Sequence, residues 1–245
     1  DGVNTSLLYR DTEKDDFKPI LTTDFKVNVS PLFFTFDNKN VYVASNRDRD
    51  KTAIYEFDIS KAKEQELIFE HDEVDVSGLM YSKKRKVLTG VNFTVSKGDK
   101  IFFDDWRRDI QNKLESQLPG YEVGITSFSK DETKAVVVSY SDKSRGTYYY
   151  YDVENDKLTE LAKISPWLEE EHMAEMKPVK YKSRDGFTIH GYLTLPVGSD
   201  GKNLPVVVNP HGGPWARDTW GYRSEIQFLA NRGFAVFQMN FRGST

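Results

Sequence analysis

The chain contains no cysteine, which excludes a disulfide framework, a thiolate metal site and a cysteine nucleophile together. Cytoplasm and bacterial periplasm both accommodate that composition, so the compartment stays open. Long apolar runs are missing as well. Ala135–Val138 and Phe234–Phe237 are typical of what is present, far below the roughly 20 residues a membrane helix needs. No membrane span is expected. Nor is there an excess of basic charge: 34 Lys and Arg face 38 Asp and Glu, for a net charge of −4, so nothing invites a nucleic-acid backbone. No ligand-spaced His/Cys cluster and no glycine-rich phosphate loop occur, and neither a metal nor a nucleotide cofactor is expected. The chain opens on Asp1 without a basic segment leading into an apolar one. Removal of a signal and a start inside a longer protein both fit. Sequons at Asn4, Asn28 and Asn92 would matter only in a eukaryotic secretory protein, and chance accounts for them as well.

What is present suits a folded protein. The 245 residues correspond to one large domain or two ordinary ones, at roughly 100–200 residues each. Hydrophobic residues make up 38% and charged residues 29%, and aromatics reach 13%. Aromatic side chains favour pleated, half-buried surfaces, so strands should be plentiful.

A repeat fills the first two thirds. Tyr9-Arg10-Asp11, Phe57-Asp58, Phe103-Asp104-Asp105 and Tyr150-Tyr151-Asp152 place an aromatic shortly before an aspartate, and Asp11, Asp58, Asp105 and Asp152 are spaced 47 residues apart. A second series supports the first. Phe36-Asp37, Tyr81-Ser82 and Phe128-Ser129 open turn-like segments that lead into Val41–Ser45, Val87–Val91 and Lys134–Tyr140. Beyond three of the aspartates another short apolar strand follows, at Ile20-Leu21, Leu67-Ile68 and Leu158–Leu161. Several short strands per unit, separated by polar turns, are the signature of β-propeller blades. A sandwich with strands of similar length is the competing reading. Each repeated Asp is expected to serve its own turn by bonding nearby backbone. A propeller needs about four blades to close, and about three and a half units fit before residue 165. A partial propeller of three to four blades is therefore expected over residues 1–172.

The third unit departs from this pattern. Trp106, Ile110, Leu114 and Leu118 recur every four residues, and the run stops at Pro119-Gly120. That spacing predicts a helix with one apolar stripe, inserted where other units turn tightly. Packing against the blade edge is its expected role.

After Ser165-Pro166-Trp167 the style changes. The run Glu169-Glu170-Glu171 reads as a solvated linker or helix face. Alternating strands around Val179 and from Phe187 to Leu195 flank Arg184-Asp185-Gly186, and Asp-Gly in that setting is a strong hairpin signal. The apolar strand Pro205–Val208 leads straight into His211-Gly212-Gly213-Pro214. A helix around Ser224–Asn231 ends at Arg232-Gly233, with the glycine placed as a C-cap, and Phe234–Met239 is a further buried strand. Strand, loop, helix, strand is the grammar of an α/β domain, expected over residues 173–245.

His-Gly-Gly-Pro after a buried strand carries the chemistry. Glycines allow the backbone to come close to a ligand, and backbone N–H groups at the carboxyl end of a strand can stabilise an oxyanion. Gly-Gly-Pro is equally the sequence of an ordinary tight turn. His211 is expected to orient the loop by hydrogen bonding rather than to catalyse. Arg217 with Asp218, and Arg242, read as structural ion-pair partners.

At this point the chain resembles the prolyl oligopeptidase family of serine peptidases. The resemblance is carried by Arg184–Pro196, by Pro205–Pro214 with its His-Gly-Gly-Pro, by Gln227–Gly233 and by Asn240-Phe241-Arg242-Gly243-Ser244-Thr245. It is looser over the repeats, including the helical insert ending at Leu118-Pro119-Gly120. The acylaminoacyl-peptidase and dipeptidyl aminopeptidase-like branch is the most similar. The resemblance implies a propeller capping an α/β-hydrolase domain, short peptides as substrates, and a Ser–Asp–His triad. It also implies that Gly212 and Gly213 contribute a backbone N–H to the oxyanion hole.

One departure is decisive for the site. No Gly-x-Ser-x-Gly occurs in the chain, and in α/β-hydrolases the triad order is Ser, Asp, His. His71, His172, His190 and His211 all precede the place where that serine belongs, so no member of the triad is expected here. The chain reads as an internal or truncated piece of a peptidase, inactive alone. The remaining C-terminal part of the hydrolase domain is its expected partner, and a homo-oligomer is compatible. A noncatalytic propeller binding module with a degenerate hydrolase remnant and a carboxylesterase are the competing functions. The repeats, and Pro214 where lipase-type loops carry a further glycine, count against the esterase.

Overall fold

The computed structural model describes residues 2–213 and 215–244; Pro214 of the His-Gly-Gly-Pro run and Thr245 lie outside the described residues, as does Asp1. The chain divides into two compact units, Asp1–Asp104 and Asp105–Thr245.

Among the described residues the first unit contains three antiparallel sheets, none closed on itself. Strands β1 (Asn4–Tyr9) and β2 (Lys18–Asp24) form a two-stranded ribbon. Strands β3 (Val29–Phe34), β4 (Val41–Ser45), β5 (Ala53–Asp58) and β6 (Lys63–Phe69) form a four-stranded meander in chain order. A three-stranded meander follows, of β7 (Val76–Ser82), β8 (Val87–Thr94) and β9 (Gly98–Phe102). The middle sheet is covered on both faces. Val41, Val43 and Phe57 pack against Leu7, Ile20 and Leu21 of the ribbon. Ala44 and Ile54, pointing the other way, pack against Val76, Val91 and Phe93 of the third sheet. Two-sided burial explains why β4 reads Val-Tyr-Val-Ala-Ser with every residue buried rather than alternating. Val43, Ile54 and Phe57 are fully buried, and side chains of this kind each stabilise the fold by roughly 1.5–3 kcal/mol. Sheets stacked face to face in series are not the two layers of a sandwich.

The repeat reappears in the backbone. Asn38, Lys86 and Glu132 sit between the first and second strands of their sheets, and Ala62 and Asp156 between the third and fourth. All five are left-handed, with φ between 50° and 59°. Asp58 and Asp152, two repeat lengths apart, each end a third strand and hold the turn that follows. Asp58 accepts from the Lys61 amide (3.0 Å) and the Ser60 hydroxyl (2.6 Å), and Asp152 from the Asn155 amide (3.1 Å). Asp11 follows β1, whereas Asp105 departs from the series, because it opens a helix.

That helix, α1 (Asp105–Gln117), begins the second unit. Its stripe of Ile110 and Leu114, continued by Leu118, packs on Val123, Ala135, Val137 and Tyr151. These come from β10 (Glu122–Phe128), β11 (Lys134–Tyr140) and β12 (Thr147–Asp152), which with β13 (Lys157–Lys163) make a four-stranded meander. The helix therefore covers the face of this sheet rather than its edge. Trp106 joins the same core, 5.7 Å between ring centroids from Phe128.

The last sheet is mixed, with the order β14-β15-β17-β16. Strands β14 (Met176–Lys182) and β15 (Thr188–Thr194) form the expected hairpin. Gly186 there adopts φ 87°, and the Ser183 amide donates to the Phe187 carbonyl at 2.8 Å. Strand β16 (Val206–Val208) runs parallel to β17 (Ala235–Asn240), joined through α2 (Ser224–Asn231). Gly233, at φ 88°, terminates α2, its amide bonding the Ala230 carbonyl at 3.0 Å. Strand β16 is the edge, with Val206 and Val208 more than half exposed.

The β10–β13 meander belongs to the compact unit that holds the mixed sheet. The Gln227 side chain is one reason. Its Nε2 donates to the carbonyls of Asp142 (3.0 Å) and Ala174 (2.8 Å), and its Oε1 accepts from the Ala174 amide (2.8 Å). Among the described residues no helix is long and apolar enough to cross a membrane.

Candidate functional site

The ladder between β16 and β17 extends one step past Val208, where the Asn209 amide donates to the Phe237 carbonyl at 2.9 Å. The chain then leaves the carboxyl end of the parallel pair and enters the His211-Gly212-Gly213 loop. Gly213 requires its glycine: φ is +135°, and a Cβ would lie 3.0 Å from the Trp215 nitrogen. At Gly212 a Cβ would meet nothing within 4 Å. Both glycines are exposed, and their amides donate to no acceptor among the described residues. A free backbone donor at the end of a parallel strand can serve an oxyanion.

His211 ties the start of this loop to the turn after β17. Its Nδ1 lies 2.8 Å from the Gly212 carbonyl and its Nε2 2.7 Å from the Ser244 hydroxyl, and the ring stacks on Phe241 with centroids 4.2 Å apart. A carbonyl can only accept, so Nδ1 carries the proton, and in neutral imidazole Nε2 then accepts from Ser244. The far end of the loop is tied to the same strand. Asn240 Oδ1 accepts from the Asp218 amide (2.8 Å) while its Nδ2 donates to the Asp218 carbonyl (3.1 Å), and Gln238 Nε2 donates to the Asp218 carboxylate (2.9 Å). The Arg217 Nε donates to the Asp218 backbone carbonyl at 3.4 Å. Arg242 forms the expected structural ion pair, with Asp185 of the β14–β15 turn, and its guanidinium sits 4.4 Å over the Phe187 ring. Hydrogen bonding from Ser183, and then Arg242, holds the Asp185 carboxyl at about 2.

The exposed linker brings ligand atoms of Glu169, Glu171 and His172 within 4.8 Å of one another. His172 Nδ1 is already 3.0 Å from Glu169 Oε2, and this group is remote in sequence from the glycine loop.

The chain matches no protein-family model. Dipeptidyl aminopeptidase BIII of Pseudoxanthomonas mexicana is 34% identical over 236 residues, covering 94% of this chain and 33% of that protein. Dipeptidyl peptidase family member 6 of Caenorhabditis elegans is 25% identical over 243 residues, covering 91% of this chain and 33% of that one. A solved prolyl endopeptidase shares the fold, with a TM-score of 0.70 and 17% identity over 99% of this chain and 35% of its own. These likenesses support the prolyl oligopeptidase family.

It spans about a third of the length of the curated relatives it matches. Within this prolyl oligopeptidase-like segment the structure brings the glycine loop together with Asp218, Asn240, Phe241 and Ser244. The sequence marks His211 and the glycines as site residues, whereas Asn240 and Ser244 enter there only as part of the 240–245 motif. Ser244 against His211 has the look of a serine–histidine dyad. It lacks the third member, because the Nδ1 of His211 faces a backbone carbonyl where a triad histidine faces a carboxylate.

Proposed function

We propose that this chain is part of a serine peptidase that hydrolyses short peptides through a Ser–Asp–His acyl-enzyme mechanism, with the triad residues C-terminal to residue 245. Residues 1–172 are read as three to four blades of a propeller, and residues 173–245 as the beginning of the α/β-hydrolase domain. The single observation that carries the reading is the Gly212–Gly213 pair at the carboxyl end of β16, with neither amide donating to an acceptor among the described residues and the loop tied at both ends to the segment 238–244.

The chemistry follows from that loop. Attack by an activated hydroxyl on the scissile carbonyl pushes negative charge onto its oxygen. A backbone N–H of Gly212 or Gly213 donates to this oxygen, and the residue after the nucleophile supplies the other donor. A loop already held in place needs no reorganisation as the charge develops, and that fixed geometry is the source of the rate gain. His211 keeps the loop in register and takes no proton from substrate.

The test uses the intact protein, a chromogenic dipeptide substrate, and Gly213→Val. The valine is disfavoured at φ +135° and is expected to lower kcat by roughly 10²–10³-fold, the scale for one lost oxyanion donor, with a much smaller change in KM. Unchanged kcat in a folded variant removes the glycines from the mechanism. Residues 1–245 alone are expected neither to turn over this substrate nor to react with an organophosphate.

A further inference from the structure

A concavity of about 480 Å³ opens beside the start of α2, between the β11–β12 loop and residues 219–224. Its charged lining is all of one sign. Arg145 and Arg223 stand there with the hydroxyls of Ser141, Ser144, Thr219 and Ser224, and among the described residues no Asp or Glu contributes to the wall. In a chain with a net charge of −4, such a wall is a local reversal. Neither guanidinium pairs with a carboxylate among the described residues. Arg145 Nη1 donates to the Ser165 hydroxyl (3.1 Å) and Arg223 Nη2 to the Thr219 hydroxyl (2.9 Å). Each keeps further N–H donors, because a guanidinium offers several in a planar fork. Arg223 is also the N-cap of α2 and makes no side-chain capping bond, while Glu225 in the first turn offsets the positive end of the helix.

The place in the fold matters as much as the charge. Asp218, the residue before Thr219, is bonded to Asn240 at the carboxyl end of β17. The concavity also adjoins Met176 of β14, whose carbonyl accepts from Trp220 Nε1 (2.8 Å) and whose amide donates to the Asp142 carboxylate of the β11–β12 loop (2.7 Å). A carboxylate there receives charge-assisted hydrogen bonds from planar donors that match its geometry. A free amino terminus is repelled by the same two charges.

We propose that this concavity binds a carboxylate, and that its occupant is the C-terminal carboxylate of a short peptide; the identity of the occupant rests on the peptidase reading, whereas the anion site does not. Such a site selects peptides that end in a free carboxylate. It therefore favours free-acid peptides over amidated ones.

The test measures binding and needs no catalysis. The intact protein is titrated calorimetrically with inorganic phosphate, then with trialanine as free acid, trialanine amide, and an amidated tripeptide carrying Glu. The free acid is expected to bind saturably and to compete with phosphate, and the plain amide to do neither. Arg145→Ala and Arg223→Ala should each weaken both ligands about tenfold, the equivalent of one charge-assisted hydrogen bond. Arg232→Ala, which removes a charge outside the concavity, should leave binding unchanged. Absence of saturable phosphate binding, or equal weakening in all three variants, overturns the anion site. Equal binding of free acid and plain amide, or tight binding of the amidated Glu peptide, overturns the C-terminal assignment. Failure of the peptidase reading is registered elsewhere, by the absence of hydrolysis and of organophosphate labelling in the intact protein.

Discussion

Gln227 of α2 donates from Nε2 to the carbonyl of Asp142 at 3.0 Å, and the carboxylate of that same Asp142 accepts the amide of Met176 at 2.7 Å. Gln227 and Asp142 are both at least nine-tenths buried. One loop of the β10–β13 meander is thereby bonded to the helix after the glycine loop and to the first strand of the mixed sheet. Two regions of different sequence style are locked into one compact unit by side-chain amide and carboxylate chemistry, where a flexible linker alone would leave them free.

Gln227→Leu should expose the value of that lock. The leucine leaves the Asp142 carbonyl and both backbone groups of Ala174 without their partner, and a buried unsatisfied group costs about 1–3 kcal/mol. A loss of about 3 kcal/mol is expected in urea unfolding of the intact protein. A loss below about 0.5 kcal/mol, the level of an ordinary surface substitution, would show that the bonds are replaceable.

The left-handed hairpin residues predict the opposite sign. Lys86 is exposed and adopts φ 54°, a conformation that costs an L-residue about 1–2 kcal/mol and glycine very little. After the entropy glycine loses on folding, Lys86→Gly is expected to stabilise by about 0.5–1 kcal/mol. A lowered melting temperature would mean that the lysine side chain contributes more than its backbone costs.

Asp185 supplies a pH dependence. Its folded carboxyl sits at about 2, below the unfolded value near about 3.9. A depressed carboxyl adds stability that is present above the unfolded value and is lost as pH falls through the folded one. The β14–β15 turn and Arg242 should therefore separate between about pH 4 and pH 2. An NMR titration reads this directly, and Ser183→Ala should raise the Asp185 value more than Arg242→Ala, because the serine hydroxyl is the larger cause. The reverse order would assign the shift to the ion pair.

Much of the fold is legible in the sequence because its signals are local. Strand β4 and strand β11 have the bounds the apolar runs predict, and α2 ends where Gly233 requires. Asp58 and Asp152 mark their turns because an aspartate can bond an amide three residues on. The site is only half legible. His-Gly-Gly announces itself by backbone freedom, but the residues that hold it, Asn240 and Ser244, lie 22 and 33 residues from their partners. Nothing local marks such pairings. The same holds for Gln227, whose polar side chain looks solvent-facing in a short helix and is instead the lock described above.

The most direct test of the central claim is to label the intact protein with a fluorophosphonate and map the adduct by mass spectrometry. The account predicts one stoichiometric adduct on a serine outside residues 1–245, retained in Ser244→Ala. It also predicts no adduct when residues 1–245 are treated alone. An adduct on Ser244, lost in Ser244→Ala, would make the His211–Ser244 pair the catalytic dyad and contradict the account.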